Sequence, residues 1–298
     1  MALMAKARVE RIGQGVTGAC IVLVALLVVT LVAMVAGRGI ATFTADGIDL
    51  GSFLAGTTWN PHQDDVNGMP TVGALPMIAG SFSVTLLSTL FALPIAFGSA
   101  IFVVEVAPRF GRKVFQPLVE LLVGIPSVVY GLVGMIVLVP AIRRAFGLGS
   151  GACLLAAILV LTVMVLPSII NVAETALQAV PREYEEASLA LGATETETYF
   201  RVSLPAARSG VAAAVVLGVG RAIGEAMAII MVAGNVANMP GLFTSVRFLT
   251  TGIISGMSDA AVGSLYQQAL FSIGLVLFLF IMLINVLLNV CIKRRKED

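Results

Sequence analysis

From Val16 to Ala36 the chain runs for 21 residues without a charged side chain. At 1.5 Å per residue that length matches the ~30 Å hydrocarbon thickness of a bilayer. Comparable apolar stretches recur near 75–106, 116–140, 152–171, 210–235 and 267–292. They predict an all-α, polytopic membrane bundle with six transmembrane helices. Composition agrees: 58% of the 298 residues are hydrophobic and 12% charged, against the ~25% charged residues of soluble domains. With 18 Lys+Arg against 17 Asp+Glu the net charge is +1, which leaves no dominant basic face and excludes a nucleic-acid binder as well as a soluble enzyme. The first run follows Lys6, Arg8 and Arg11 as a signal peptide would, but it is longer than a typical h-region and is read as a retained anchor. The second exceeds one bilayer thickness and carries Pro76 and Pro94, so it is expected to tilt, kink or leave the membrane in part. Cys20, Cys153 and Cys291 have no partner at metal-ligand spacing and are expected to be small buried thiols.

Lys and Arg resist translocation and collect on the cytoplasmic side. With the N-terminus inside, that side receives Lys6, Arg8, Arg11, Arg109, Arg112, Lys113, Arg182, Arg201, Arg208, Lys293, Arg294, Arg295 and Lys296, thirteen cations. The opposite side receives Arg38, Arg143, Arg144 and Arg247, and its long first loop carries Asp46, Asp49, Asp64 and Asp65. Both termini are therefore expected to be cytoplasmic, which requires an even number of spans. Residues 1–15 form a cytoplasmic N-terminus, 16–298 one transmembrane domain, 37–74 an extracytoplasmic loop and 172–209 the largest cytoplasmic segment. In the outer loop, His62 is read as solvated or as the rim of a docking site, and Trp59 as an interfacial anchor or loop packing.

Segment 172–209 reads as two short helices. Pro181 suits a first turn, Glu183, Glu185 and Glu186 complement the positive end of the helix dipole, and Gly192 marks the stop. Thr194 and Glu197 then have the spacing of a capping box that starts a second helix reaching Pro205. Tyr184, Ala187 and Leu191 give the first helix a small apolar face. That face is rich in carboxylates, which anionic headgroups repel, so a groove on a protein is a better receptor than a lipid surface. Glu186-Ala187-Ser188, three residues, Gly192, nine residues and Val202-Ser203-Leu204-Pro205 resemble the cytoplasmic EAA loop of ABC-importer permeases. The resemblance implies that Glu186, Ala187, Ser188, Gly192, Leu204 and Pro205 couple this chain to a separate ATP-hydrolysing subunit. The chain has no motor of its own: a P-loop needs Gly-Lys-Ser/Thr, and none of the four lysines (Lys6, Lys113, Lys293, Lys296) follows a glycine.

An ionisable residue inside a span costs ~2.5–3.5 kcal/mol on insertion scales and is a functional candidate. Glu120 in the third span and Arg221 with Glu225 in the fifth meet that description. Arg221 and Glu225 lie four apart, on one face of a continuous helix, with Ala214 and Gly218; Gly220 and Gly224 form a small-xxx-small pair for a neighbouring helix. They could merely neutralise each other. Glu120, Gly124, Ser127, Gly131 and Gly134 on the third span, and Ser81, Thr85, Ser88 and Ser99 on the second, are read as polar stripes lining a pathway ahead of ordinary helix packing. An arginine fork specifies an anion and fits a tetrahedral oxyanion such as phosphate or sulfate. Glu225 could accept a hydrogen bond from protonated phosphate and repel fully ionised sulfate.

Three further strings, Phe53-Leu54-Ala55-Gly56-Thr57-Thr58-Trp59-Asn60-Pro61, Gly124-Ile125-Pro126-Ser127-Val128-Val129-Tyr130-Gly131-Leu132 and Gly220-Arg221-Ala222-Ile223-Gly224-Glu225-Ala226-Met227-Ala228, resemble the PstC-type permease subunits of the phosphate-specific ABC importer. That resemblance implies the type I importer, MetI-like permease fold in a prokaryotic plasma (inner) membrane. It also implies a second homologous permease subunit, two ABC ATPases that bind the ATP and Mg, an extracytoplasmic phosphate-binding protein, and Arg221 as a functional residue. No cofactor is expected in this chain, and no catalytic constellation or metal site is present in its motifs. The competing readings are a permease for sulfate or molybdate, an ion-coupled secondary transporter using Arg221, Glu225 and Glu120, and a scaffold without transport.

Overall fold

A computed structural model describes residues 2–64 and 70–294. Asp65 and the Arg295–Lys296 pair fall outside the described residues, and the side chains of Lys6, Arg8, Arg11, His62, Asp64, Arg112, Cys291, Lys293 and Arg294 are likewise outside the description. The chain is helical, with one two-stranded sheet. Helix α1 (Ala2–Thr44) carries the first apolar run and continues past it. After α2 (Leu50–Ala55), strands β1 (Trp59–Asp64) and β2 (Pro70–Val72) pair antiparallel in the register Trp59↔Val72 and Asn60↔Thr71. Asp49 caps α2 by accepting from the Ser52 backbone N–H at 2.8 Å, and that hydrogen bond, with a second from the Ser52 hydroxyl, holds its carboxyl below the ordinary aspartate range.

The second span is α3 (Leu75–Ile101), which continues through a π-helical turn at Phe102–Val106 into α4 (Pro108–Phe110). A second π turn (Gly111–Phe115) leads to α5 (Gln116–Gly124). Pro126 then breaks the third span. It forces Ile125 into an extended conformation (ψ 125°), and the chain resumes as α6 (Ser127–Val133), a π turn and α7 (Val139–Phe146). The helix long and apolar enough to cross a bilayer is therefore Ser127–Phe146, shifted from the expected 116–140.

Helix α8 (Leu154–Gln178) is the centre of the molecule. It is apolar over most of its length and largely buried, including Ile158, Leu161, Met164, Val165 and Ile169. α3 packs along one side of it and α12 (Arg208–Gly224) along another. On α12 the close approach uses Gly210 against Ala176 and Gly218 against Ile169, where any added Cβ would fall 2.3–2.6 Å from those side chains. Gly220 and Gly224, expected to admit a neighbouring helix, meet no other element of this chain.

Between α8 and α12 lie α9 (Arg182–Ala190), α10 (Glu195–Thr198), a π turn (Tyr199–Ser203) and α11 (Leu204–Ala206). The fifth span is interrupted too: α12 stops at Gly224, α13 (Met227–Val232) follows, and an irregular segment leads to α14 (Leu249–Asp259) and α15 (Leu265–Arg294). This irregular backbone is folded onto the start of α8. Carbonyls of Val232, Thr244 and Leu242 accept the N–H groups of Cys153, Leu154 and Leu155, three donors that a helix start leaves without an internal partner. Five helices among the described residues are long and apolar enough to cross a membrane, and six if the pair Glu195–Ala206 and Arg208–Gly224, bent by 69°, counts as one element. The smaller core joins Phe53, Met77, Leu249, Leu270 and Ile273 between α2, α3, α14 and α15.

Several expectations change. Cys153 is buried as expected, but Cys20 is exposed on the apolar length of α1. Trp59 packs on Tyr266, ring centroids 6.4 Å apart. The Ser81, Thr85, Ser88 stripe is packing and not a pathway: all three are buried, Ser81 Oγ accepts from Leu249 N at 2.9 Å, and Thr162 of α8 donates to the Ser88 carbonyl at 3.3 Å.

Candidate anion pathway and coupling hairpin

Two broken helices meet at one level of the bundle. Gly131 of α6 sits so close to α13 that a Cβ there would fall 2.8 Å from the Ala228 backbone, and Gly134 is enclosed by Val160 and Val232. Both glycines are thus packing positions. A break frees backbone groups that lipid cannot satisfy, and here side chains satisfy them. Tyr130 donates its hydroxyl to the Leu122 carbonyl at 2.8 Å, just before the α5–α6 break. Thr250 donates to the Glu225 carbonyl at 2.9 Å, and Glu225 Oε1 accepts the Ala228 N–H at 2.8 Å.

Glu225 is therefore not on the helical face that carries Arg221. With ψ 135° it stands in the break, and its carboxylate holds the first turn of α13. Arg221 lies in the last turn of α12, where the negative end of the helix dipole favours a cation. Its Nη1 donates to Ser168 Oγ on α8, not to Glu225. Ser168 was not among the residues singled out from sequence; a serine directly after Pro167 in an otherwise apolar span is the signal that could have found it. Arg221 is half-buried, and no other element of this chain comes within 4 Å of where a Cβ on nearby Gly220 or Gly224 would be. One of five guanidinium donors goes to Ser168, leaving the rest of the fork available for an oxyanion.

Ser127 opens α6 beside the break and is half-buried. Glu120 is separated from this centre by the break: it lies on α5, exposed, with no hydrogen bond or ion pair among the described residues. The expected stripe from Glu120 to Gly134 is thus divided at Ile125–Pro126.

The hairpin 181–206 folds as its local signals require. Pro181 precedes α9 as its cap residue, Gly192 takes φ +88°, and Thr194 and Glu197 form the reciprocal capping box, with Thr194 N donating to Glu197 at 3.1 Å. That backbone hydrogen bond, helped by the Thr194 hydroxyl, keeps the Glu197 carboxyl below the ordinary glutamate range. Two further hydrogen bonds fasten the hairpin across its turn: Ser188 Oγ to Thr198 Oγ1 at 2.8 Å, and Ser203 Oγ to Glu185 Oε1 at 2.8 Å. Ser188 is consequently a structural link, whereas Glu186, Ala187, Tyr184 and Leu191 are exposed, Leu191 at 90%. Leu204 and Pro205 begin α11, which leads into α12. The hairpin presents an apolar tip ringed by carboxylates and is continuous with the helix that carries Arg221.

Residues 92–297 match the family model of the binding-protein-dependent transport system inner membrane component. The chain belongs to that family. It is 43% identical over 280 residues, 92% of this chain and 89% of the relative, to a protein named "Probable ABC transporter permease protein YqgH" in Bacillus subtilis. It is 34% identical to the phosphate transport system permease protein PstC of Xylella fastidiosa, over 83% of this chain and 80% of that one. With PstC of Haemophilus influenzae the identity is 32%, over 83% and 82% of the two chains. Among solved structures, the MetNI methionine ABC transporter in an inward-facing conformation matches with a TM-score of 0.56 at 22% identity, covering 72% of this chain and 92% of that chain, a likeness of fold. The chain is thus an ABC-importer permease subunit of MetI-like fold. It is not itself an enzyme; ATP hydrolysis belongs to partner chains, and a second permease completes the transporter.

Proposed function

We propose that this permease carries inorganic phosphate, forming half of a pathway whose anion contact is Arg221. The observation that supports this reading is the guanidinium of Arg221, placed at a helix break with one donor on Ser168 and open space beside Gly220 and Gly224. Phosphate is the cargo named in the PstC relatives at 32–34% identity. Glu225, whose second carboxylate oxygen is left for a protonated oxyanion, is the element that favours hydrogen phosphate over fully ionised sulfate. In this reading the second permease is a homologous but distinct subunit, and an extracytoplasmic phosphate-binding protein delivers the anion. Both termini are cytoplasmic, and the exposed face around Glu186, Ala187 and Leu191 docks on an ATPase that holds ATP and Mg.

The test is phosphate uptake by cells expressing Arg221→Ala in the assembled transporter, with sulfate and molybdate as competitors. Loss of a charge-assisted hydrogen bond worth ~1.5–3 kcal/mol lowers uptake by about tenfold or more. Wild-type uptake by that variant, or competition by sulfate as effective as by phosphate, removes the reading.

A further inference from the structure

Helices α1, α14 and α15 enclose a groove that the transport reading leaves unused. Its volume is about 330 Å3, and its walls, among them Leu31, Val35, Met257, Phe271, Gly274 and Phe278, are almost wholly apolar. The groove is a wedge. Above it α1 and α15 are pinned together: Gly39 lies against the Phe271–Ser272 backbone, and Ser272 Oγ hydrogen-bonds to the Gly39 carbonyl at 2.7 Å and Thr42 Oγ1 at 2.8 Å. Towards its N-terminus α1 diverges, and its side chains from Val16 to Leu31 are exposed almost without exception.

Depth along the bilayer decides what fills the wedge. The apolar run Val16–Ala36 matches the hydrocarbon thickness, so Leu31 and Val35 lie in the acyl-chain layer and Arg38 in the adjoining headgroup layer. Leu31, Val35 and Arg38 fall at i, i+4 and i+7, on one face of α1. The Arg38 guanidinium is held over the Phe271 ring, 5.8 Å from its centroid, and Phe271 is itself a wall of the groove. A cation is thereby fixed at the mouth of a hydrocarbon slot.

The geometry points to a binding site for an anionic phospholipid, with one acyl chain in the α1–α14–α15 groove and the phosphate on Arg38. A guanidinium binds phosphate oxygens in parallel, and the apolar walls accept the chain without an unsatisfied polar group. The lipid then serves as a wedge that holds the peripheral α1 on α14 and α15.

The assembled transporter is placed in nanodiscs of phosphatidylglycerol and phosphatidylethanolamine, extracted into mild detergent, and its retained phosphatidylglycerol measured by native mass spectrometry. Wild type retains phosphatidylglycerol in preference to phosphatidylethanolamine. Arg38→Gln lowers that retention about fivefold, the share of one interfacial arginine, and Arg38→Lys keeps most of it. Gly274→Leu blocks the slot with Arg38 intact, and its Cβ would lie an ordinary 3.5 Å from Val35 Cγ1. Equal retention in wild type, Arg38→Gln and Gly274→Leu overturns the site. So does a disulfide between Leu31→Cys and a cysteine on the second permease, which would show protein filling the groove.

Discussion

Replacing Glu225 separates two roles that its position combines. One carboxylate oxygen accepts the Ala228 N–H at 2.8 Å, capping α13, while the negative charge stands in the break next to the end of α12. Gln keeps a carbonyl oxygen for the cap and loses only the charge, whose attraction to the positive N-terminal end of α13 is worth about 0.3–1 kcal/mol. Ala removes the cap as well, which costs ~1 kcal/mol more at a typical N-terminus and leaves a donor unpaired where lipid offers no substitute. Stability of the assembled transporter in detergent should therefore rank wild type, Glu225→Gln, Glu225→Ala, with the larger step between the last two. Phosphate uptake should behave differently: if the charge discriminates the anion, Glu225→Gln loses most of its uptake while remaining assembled, and admits sulfate as a better competitor. Thermal denaturation and competition uptake on the same preparations decide it. Equal instability of the two variants refutes the cap, and wild-type phosphate selectivity in Glu225→Gln refutes the role in recognition.

Gly131→Val forces a side chain into the Ala228 backbone, 2.8 Å from where its Cβ would lie, and should destabilise the α6–α13 contact by about 1–3 kcal/mol. The measurement is detergent denaturation of the complex, with Gly124→Val, in open space, as the variant expected to leave stability unchanged. The capping box at Thr194 is pH-sensitive in a defined direction. Because the folded Glu197 carboxyl titrates below its unfolded value, its stabilisation is fully present above the ordinary glutamate pKa of about 4.3 and is lost as pH falls through the lower folded value. Amide-exchange protection at 194–198 should fall over that acid range in wild type and not in Glu197→Gln; identical profiles would show that another group controls the hairpin.

What could be read from sequence was whatever a residue decides with its near neighbours. Apolar length located the long helices, and Gly192, Thr194 and Glu197 located the hairpin turn and its second helix, because a left-handed glycine and a capping box act within four residues. The partner of Arg221 was not legible in that way: Ser168 is 53 residues distant and meets it only because Gly218 lets α12 lie on Ile169. Helical spacing places Glu225 one turn above Arg221 on a continuous helix, but α12 ends at Gly224, and the Glu225 carboxylate replaces a backbone acceptor and starts a new segment. The same assumption joined Glu120 to Ser127 across Pro126, although a proline excludes the helical conformation from the residue before it. The small polar residues of α3 show the complementary error. Ser81 and Ser88 have the spacing of a pore lining, but the Ser81 hydroxyl accepts the Leu249 N–H and joins α3 to α14, while the Ser88 hydroxyl turns back to the Thr85 carbonyl of its own helix. Polar periodicity in a membrane helix marks a face that touches something other than lipid. The partner across that face, as the Leu249 N–H is for Ser81, shows where it is a seam.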